Sequence, residues 1–262
     1  KMSAEKGNSN AMNNYGYMLR NGEGIPIDKK EAAKYFKMSA EKGNSDAMNN
    51  YGYMLLFGDG IPIDKKEAAK YYKMAIEKGN SDAMNSYGYM LLFGDGIPID
   101  KKEAAKYYKM AIEKGNSDAM NSYGYMLRNG DGIPADKKEA AKYFKMSAEK
   151  GNSNAMNNYG YMLRNGDGIP VDKKEAAKYF KMSVKKGNSN AMNNYGYMLR
   201  NGEGIPIDKK EAAKYFKMSA EKGNSDAMNN YGYMLLFGDG IPVDKKEAVK
   251  YYKMAIEKGN SD

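Results

Sequence analysis

The chain has 262 residues and a formal net charge of +9, and it contains no Cys, no His and no Trp. That composition leaves no disulfide framework or thiolate metal site and removes the commonest general base and metal ligand, so neither a cofactor nor a metal centre is expected. No apolar run approaches the ~20 residues of a membrane span, and the lack of Cys and of an Asn-x-Ser/Thr sequon favours a reducing, cytoplasmic setting.

A 36-residue unit recurs with little change, marked by Tyr15, Tyr51, Tyr87, Tyr123, Tyr159, Tyr195 and Tyr231, each followed by Gly, Tyr and Met. A period of this length indicates a solenoid in which each unit packs only on its neighbours. Residues 1–10 read as the end of a preceding repeat, followed by repeats at 11–46, 47–82, 83–118, 119–154, 155–190, 191–226 and 227–262 in a single array. The start at Lys1 reads as an excerpt of a longer protein.

Within residues 9–43, Ser9 is expected to cap helix A. Ala11, Tyr15, Met18 and Leu19 fall on one helical face and form its buried side, with Asn13, Tyr17 and Arg20 opposite. Gly16 costs about 1 kcal/mol of helix propensity, which predicts close approach by a neighbouring helix. Gly22 ends helix A in a left-handed turn. The loop Gly22-Glu23-Gly24-Ile25-Pro26 follows, with Ile25 turned to the core, and Asp28 with Glu31 caps helix B. Ala32, Tyr35, Phe36 and Ser39 face helix A, Ala33 and Ala40 lie on the flank, and Lys30, Lys34, Lys37 and Glu41 face water. Met12, Met18 and Met38 read as core filling. Tyr15 and Tyr35 are expected to place their hydroxyls at the core edge. Two such helices cannot bury their apolar faces alone. The expected fold is therefore all-α, a right-handed α-solenoid superhelix of antiparallel helix pairs, seven repeats plus a partial N-terminal one.

The pattern of Ala11, Tyr15-Gly16-Tyr17-Met18, Gly22-Glu23-Gly24-Ile25-Pro26, Asp28, Ala32, Tyr35-Phe36-Lys37 and Gly43-Asn44 resembles the Sel1-like repeat, a relative of the tetratricopeptide repeat with a longer, Gly-rich loop. The likeness covers the whole chain, with Tyr15 in place of Leu, Asn13 of an aromatic and Tyr35 of Trp. It implies an adaptor or scaffold that gathers other proteins, with helix A lining a concave surface. The Cys pair found in each repeat of some secreted bacterial members is absent here.

The repeats fall into two classes. Repeats 1, 4, 5 and 6 end helix A with Arg-Asn (Arg20, Arg128, Arg164, Arg200), whereas repeats 2, 3 and 7 end it with Leu-Phe (Leu56-Phe57, Leu92-Phe93, Leu236-Phe237). Ile76 and Ile112 are each followed ten residues later by Ser86 and Ser122, where other repeats carry Asn. A larger residue matched by a smaller one predicts contact between Ile76 and Ser86 and between Ile112 and Ser122.

The glycine loop lacks the Gly-Lys-Ser/Thr of a phosphate loop and reads as a turn. No repeat holds a distinctive catalytic constellation, so the chain does not read as an enzyme. The residues facing away from the core are the candidate site. Asn13, Asn49, Asn85, Asn121, Asn157, Asn193 and Asn229 are expected to form an amide ladder able to grip an extended peptide. Beside it runs a ladder of Tyr17, Tyr53, Tyr89, Tyr125, Tyr161, Tyr197 and Tyr233. Arg20 and the consecutive Arg128, Arg164 and Arg200 add a basic stretch suited to carboxylates or phosphates, next to an apolar stretch at Leu56, Phe57, Leu92 and Phe93. The expected partner is therefore a protein or peptide with acidic and apolar segments. Head-to-tail self-association into a rod is the alternative, suggested by apolar edges such as Ile256. Binding of nucleic acid is the less favoured reading, because Lys alternates with Glu and Asp.

Overall fold

The computed structural model describes residues 7–259, so the end of a preceding repeat expected over 1–10 lies largely outside the described residues. Every regular element among them is an α-helix. The A helices are α1 (Ser9–Asn21), α3 (Ser45–Phe57), α5 (Ser81–Phe93), α7 (Ser117–Asn129), α9 (Ser153–Asn165), α11 (Ser189–Asn201) and α13 (Ser225–Phe237). The B helices are α2 (Lys29–Glu41), α4 (Lys65–Glu77), α6 (Lys101–Glu113), α8 (Lys137–Glu149), α10 (Lys173–Lys185), α12 (Lys209–Glu221) and α14 (Lys245–Gly259). The chain forms two compact units, one ending at Ala135 with α1–α7 and one beginning at Asp136 with α8–α14. Each is a stack of helices of the α-solenoid kind.

Helices of 13 residues are marginal alone, and here each end is capped. Asn8, not Ser9, is the N-cap of α1: its side-chain oxygen accepts the Ala11 N–H at 2.9 Å, and Ser9 is the first helical residue. Asn reaches the free amide from one position earlier, and its copies Asn44, Asn80 and Asn116 do the same. Asp28 caps α2 through the Glu31 N–H at 2.9 Å. Gly22 closes α1 at φ 76°, a conformation that costs a residue with a Cβ.

Inside each unit the core repeats with the period. The second aromatic of helix B (Phe36, Tyr72, Tyr108, Phe144, Phe180, Phe216) is essentially fully buried, and burying such a ring stabilises by about 1.5–3 kcal/mol. A Cβ built on Gly52 would sit 2.9 Å from the Tyr72 ring. The helix glycine is therefore the seat of the B-helix ring, the close approach expected at Gly16. The Tyr15–Tyr35 type of pair meets edge to face at 4.8 Å. Where helix B carries Ser at its buried step, the hydroxyl donates to its own A helix, as Ser39 does to the Ser9 carbonyl at 2.7 Å and Ser219 to Ser189 at 2.7 Å.

Two core assignments change. Met12 and its copies are buried, while Met38, Met74, Met110, Met146 and Met182 are 40–44 % exposed and Met218 and Met254 half-buried, because their position turns away from helix A. Met54, Met90, Met126, Met162, Met198 and Met234 are fully buried, whereas Met18 is 37 % exposed, since among the described residues no repeat covers it as one covers its copies.

Successive A helices touch directly, α3 with α5 and α5 with α7 in the first unit and α9 with α11 in the second. Among the described residues no two successive B helices approach as closely.

Candidate functional site

The face of helix A opposite Met12, Gly16 and Leu19 carries both predicted ladders. Tyr17, Tyr53, Tyr89, Tyr125, Tyr161, Tyr197 and Tyr233 are all 36–46 % exposed. Asn13, Asn49, Asn85, Asn121, Asn157 and Asn193 are half-buried, and Asn229 is exposed.

The amides also couple the repeats. Asn50 Nδ2 donates to Asn13 Oδ1 at 3.0 Å, Asn194 to Asn157 at 2.9 Å and Asn230 to Asn193 at 2.9 Å. Where Ser stands in place of that Asn, the contact is longer: Ser122 donates to Asn85 Oδ1 at 3.3 Å, and Ser86, whose proton goes to the Asp82 carbonyl at 2.9 Å, stands 3.4 Å from Asn49 Oδ1. The carbonyl half of these amides is thus engaged within the fold. Among the described residues the Nδ2 groups of Asn49, Asn85, Asn157 and Asn193 have no hydrogen-bond partner.

The expected basic stretch is not a free one. Arg20 Nε meets Asp59 Oδ2 at 2.7 Å and its guanidinium lies 4.4 Å from the centre of the Tyr53 ring. Arg164 pairs with Glu203 at 2.8 Å over Tyr197, and Arg200 with Asp239 at 2.7 Å over Tyr233. Arg128 is engaged as well. A planar guanidinium can stack on a ring and grip a carboxylate at once, so Arg20, Arg164 and Arg200 each join their own repeat to the next.

Their partners, the acids between the two loop glycines, were not singled out from the sequence. Asp59 also takes Lys29 at 2.7 Å, and Asp239 takes Lys209 at 2.7 Å. The signal was an Arg followed 39 residues later by an acid. Burial pushes the Asp59 carboxyl up, but hydrogen bonds from Lys29 and Arg20 overcome it and hold the group below its ordinary range. Glu203 is held down first by its hydrogen bond from Arg164, and Asp239 by that from Lys209. Where Leu replaces Arg, the loop acid keeps one cation: Asp95 meets Lys65, and Asp131 meets Lys101 at 2.7 Å.

The apolar stretch divides. Leu56 and Leu92 are buried, whereas Phe57 and Phe93 are 50 % and 55 % exposed, packed 4.6 Å from the Tyr53 and Tyr89 rings. In the first unit this opens a cavity of about 190 Å³ lined by Tyr53, Leu56, Phe57, Tyr72, Asn85, Ser86, Tyr89 and Ser122. In the second unit the corresponding place is a polar hollow of about 260 Å³ lined by Arg164, Asn193, Asn194, Tyr197, Asp226, Asn229 and Asn230.

Ser86 belongs with Tyr72. Its hydroxyl bonds the Asp82 carbonyl at 2.9 Å beside the Tyr72 phenol, and Ser122 stands likewise beside Tyr108. Tyr at the buried ring position is followed 14 residues later by Ser, and Phe by Asn, throughout the chain. The alternation read between Ile76 and Ser86 and between Ile112 and Ser122 thus also runs through Tyr72 and Tyr108, whose phenols stand beside these serines. Burial pushes the Tyr72 phenol well above its ordinary range, offset in part by Ser86, and its oxygen has no partner in good hydrogen-bond geometry.

Among the described residues no group of three or more acidic, His or Cys side chains is placed to hold a metal ion, and no helix is long and apolar enough to cross a membrane.

The sequence matches the Sel1 repeat at residues 9–44, 45–80, 81–116, 117–152, 153–188, 189–224 and 225–260. Similar solved structures include a Sel1 repeat protein from Oxalobacter formigenes, 31% identical with TM-score 0.82 over 93% of this chain and 98% of that one. A protective antigen of uropathogenic Escherichia coli is 31% identical with TM-score 0.74, and the match covers 100% of this chain but 56% of the antigen. An immunity protein from Pseudomonas aeruginosa shares the fold at 18% identity and TM-score 0.56, over 82% of this chain and 81% of that one. No curated protein matches the sequence. With seven consecutive matches along its length, the chain belongs to the Sel1 repeat family, whose fold is a general protein-interaction scaffold.

Proposed function

We propose that this chain is a non-enzymatic scaffold that holds an extended polypeptide segment along the A-helix face. The observation that carries the reading is the tyrosine on every A helix of each unit, seven in all and each 36–46 % exposed, on the face opposite the buried Met12 and its copies. Tyr offers rigid contact area at low entropy cost, and the Nδ2 groups of Asn49, Asn85, Asn157 and Asn193 beside it are donors suited to backbone carbonyls, which every peptide has. The closer approach of A helices than of B helices within each unit supports this face as the inner, concave one.

The test is selection from a random-sequence peptide library on the full chain. Selected peptides are expected to lose most of their binding when Tyr89 and Tyr197 are changed to Ser, and to keep it when Lys102 and Lys210 on the B helices are changed to Ala. Equal binding to both variants, or binding lost only with the lysines, overturns the proposal.

A further inference from the structure

We infer that the cavity under Tyr53 and Tyr89 is a recognition pocket for one aromatic side chain flanked by basic residues. It rests on the groove reading and specifies what one stretch of that groove selects.

The cavity exists because Leu56 stands where the other class has an Arg lying across the same space. It is walled by Tyr53, Phe57 and Tyr89, with Leu56 buried, and Tyr72 with Ser86 beside its phenol completes the lining. Its volume of about 190 Å³ compares with the ~150 Å³ of an apolar cavity known to hold benzene. A ring therefore fits and meets aromatic walls in offset or edge geometry. The neighbouring Asn85 Nδ2 is free to take the carbonyl of the residue that supplies the ring.

The charge around the pocket selects the flanks. Residues 45–64 and 81–100, the A helix and loop of repeats 2 and 3, hold six Asp and no Lys or Arg; Asp59 is already paired with Arg20 and Lys29 and Asp95 with Lys65, which leaves Asp46, Asp64, Asp82 and Asp100 without an ion pair among the described residues. The equivalent residues 153–172 of the second unit include Arg164. The pocket thus sits in the acidic part of a chain whose net charge is +9, and a cationic flank is complementary to it. This reverses the acidic partner that the arginines suggested.

The test titrates blocked tripeptide amides into the full chain and follows the Leu56 methyl groups by NMR. Lysine–tyrosine–lysine is expected to give saturating shifts, with glutamate–tyrosine–glutamate about tenfold weaker and lysine–alanine–lysine giving no saturation. Leu56→Arg installs the residue native to the other class, able to pair with Asp95 as Arg20 pairs with Asp59, and is expected to fold and abolish the shifts. Ser86→Asn, which fills the pocket from the other side, is expected to weaken them about tenfold. Absence of saturating shifts at Leu56, equal binding of the alanine peptide, or unchanged binding in both variants overturns the proposal. If library peptides still depend on Tyr89 and Tyr197 while the tripeptide fails, the pocket falls and the groove stands. If the tripeptide binds but no library peptide depends on those tyrosines, the reverse holds.

Discussion

The two hollows on the A-helix face occupy equivalent places, one in each unit, three repeats apart. In the first, Leu56, Tyr72, Ser86 and Ser122 leave an apolar cavity; in the second, Arg164, Asn194 and Asn230 stand at the positions of Leu56, Ser86 and Ser122 around a polar hollow, and Phe180 replaces Tyr72 in the sequence. The backbone is the same, with N-caps, αL glycines and loop bonds repeated within a few degrees and tenths of an ångström. The difference lies in coupled choices. Arg stacks on the next tyrosine and binds the next loop acid, so its space is filled and the loop acid has two cations. Leu does neither, which leaves room beside the tyrosine and a loop acid with one cation. Phe goes with Asn and Tyr with Ser, because the phenolic oxygen and the amide compete for one volume.

Exchanging members of these sets is the way to break the comparison. The largest effect is expected from Phe180→Tyr, which places a hydroxyl where Asn194 already stands. Burying that oxygen unpartnered, with added crowding, is expected to cost about 2–3 kcal/mol. Adding Asn194→Ser should recover at least half, measured as coupling in a double-mutant cycle by urea denaturation. If the two changes simply add, the packing basis of the sets is wrong.

Next is the loop acid. Asp59→Ala leaves Arg20 and Lys29 without their shared carboxylate and is expected to cost about 2 kcal/mol. Asp95→Ala removes a single, more exposed pair and should cost less than about 1 kcal/mol. Equal costs would show that the Arg and Leu classes do not differ in how they join repeats.

The same contrast has a pH signature. The Asp59, Glu203 and Asp239 carboxyls are held below their ordinary values. Their stabilisation is therefore complete above the unfolded carboxylate range and is lost as pH falls through the lower folded values, where the unfolded chain binds protons first. The triple variant Asp59→Asn, Glu203→Gln, Asp239→Asn should start less stable at neutral pH and lose less stability between about pH 5 and pH 2. Parallel acid profiles for the two proteins would exclude these pairs as the source.

The smallest effect is Tyr72→Phe. It removes the unpartnered hydroxyl and installs the ring native to the other class, so the midpoint of unfolding should hold or rise, by at most about 1 kcal/mol. A loss above that value would mean the hydroxyl has a partner that stabilises the fold.

Much of this was legible in the chain. A strict period, apolar residues at helical spacing, Gly22 and Asp28 determine helix pairs that must stack, and Gly16 pointed to the close approach of a neighbouring helix, though not to the ring that makes it. Tyr17 and Asn13 were read as facing away from the core, and they do. The cap was misjudged by one residue, because Asn and Ser both cap and only backbone geometry separates Asn8 from Ser9. The arginines were read as available because their partners lie 39 residues away, beyond any local rule.

What the sequence by itself determined is the repeat unit: local propensity, capping and amphipathic spacing act within about 36 residues and need no knowledge of the neighbours. What only the tertiary structure decided is which polar groups remain for a partner. That depends on contacts between repeats, where Arg20 reaches Asp59, Asn50 reaches Asn13 and Tyr72 stands beside Ser86. A side chain's chemistry can be read from its letter, but its vacancy is a property of what packs against it.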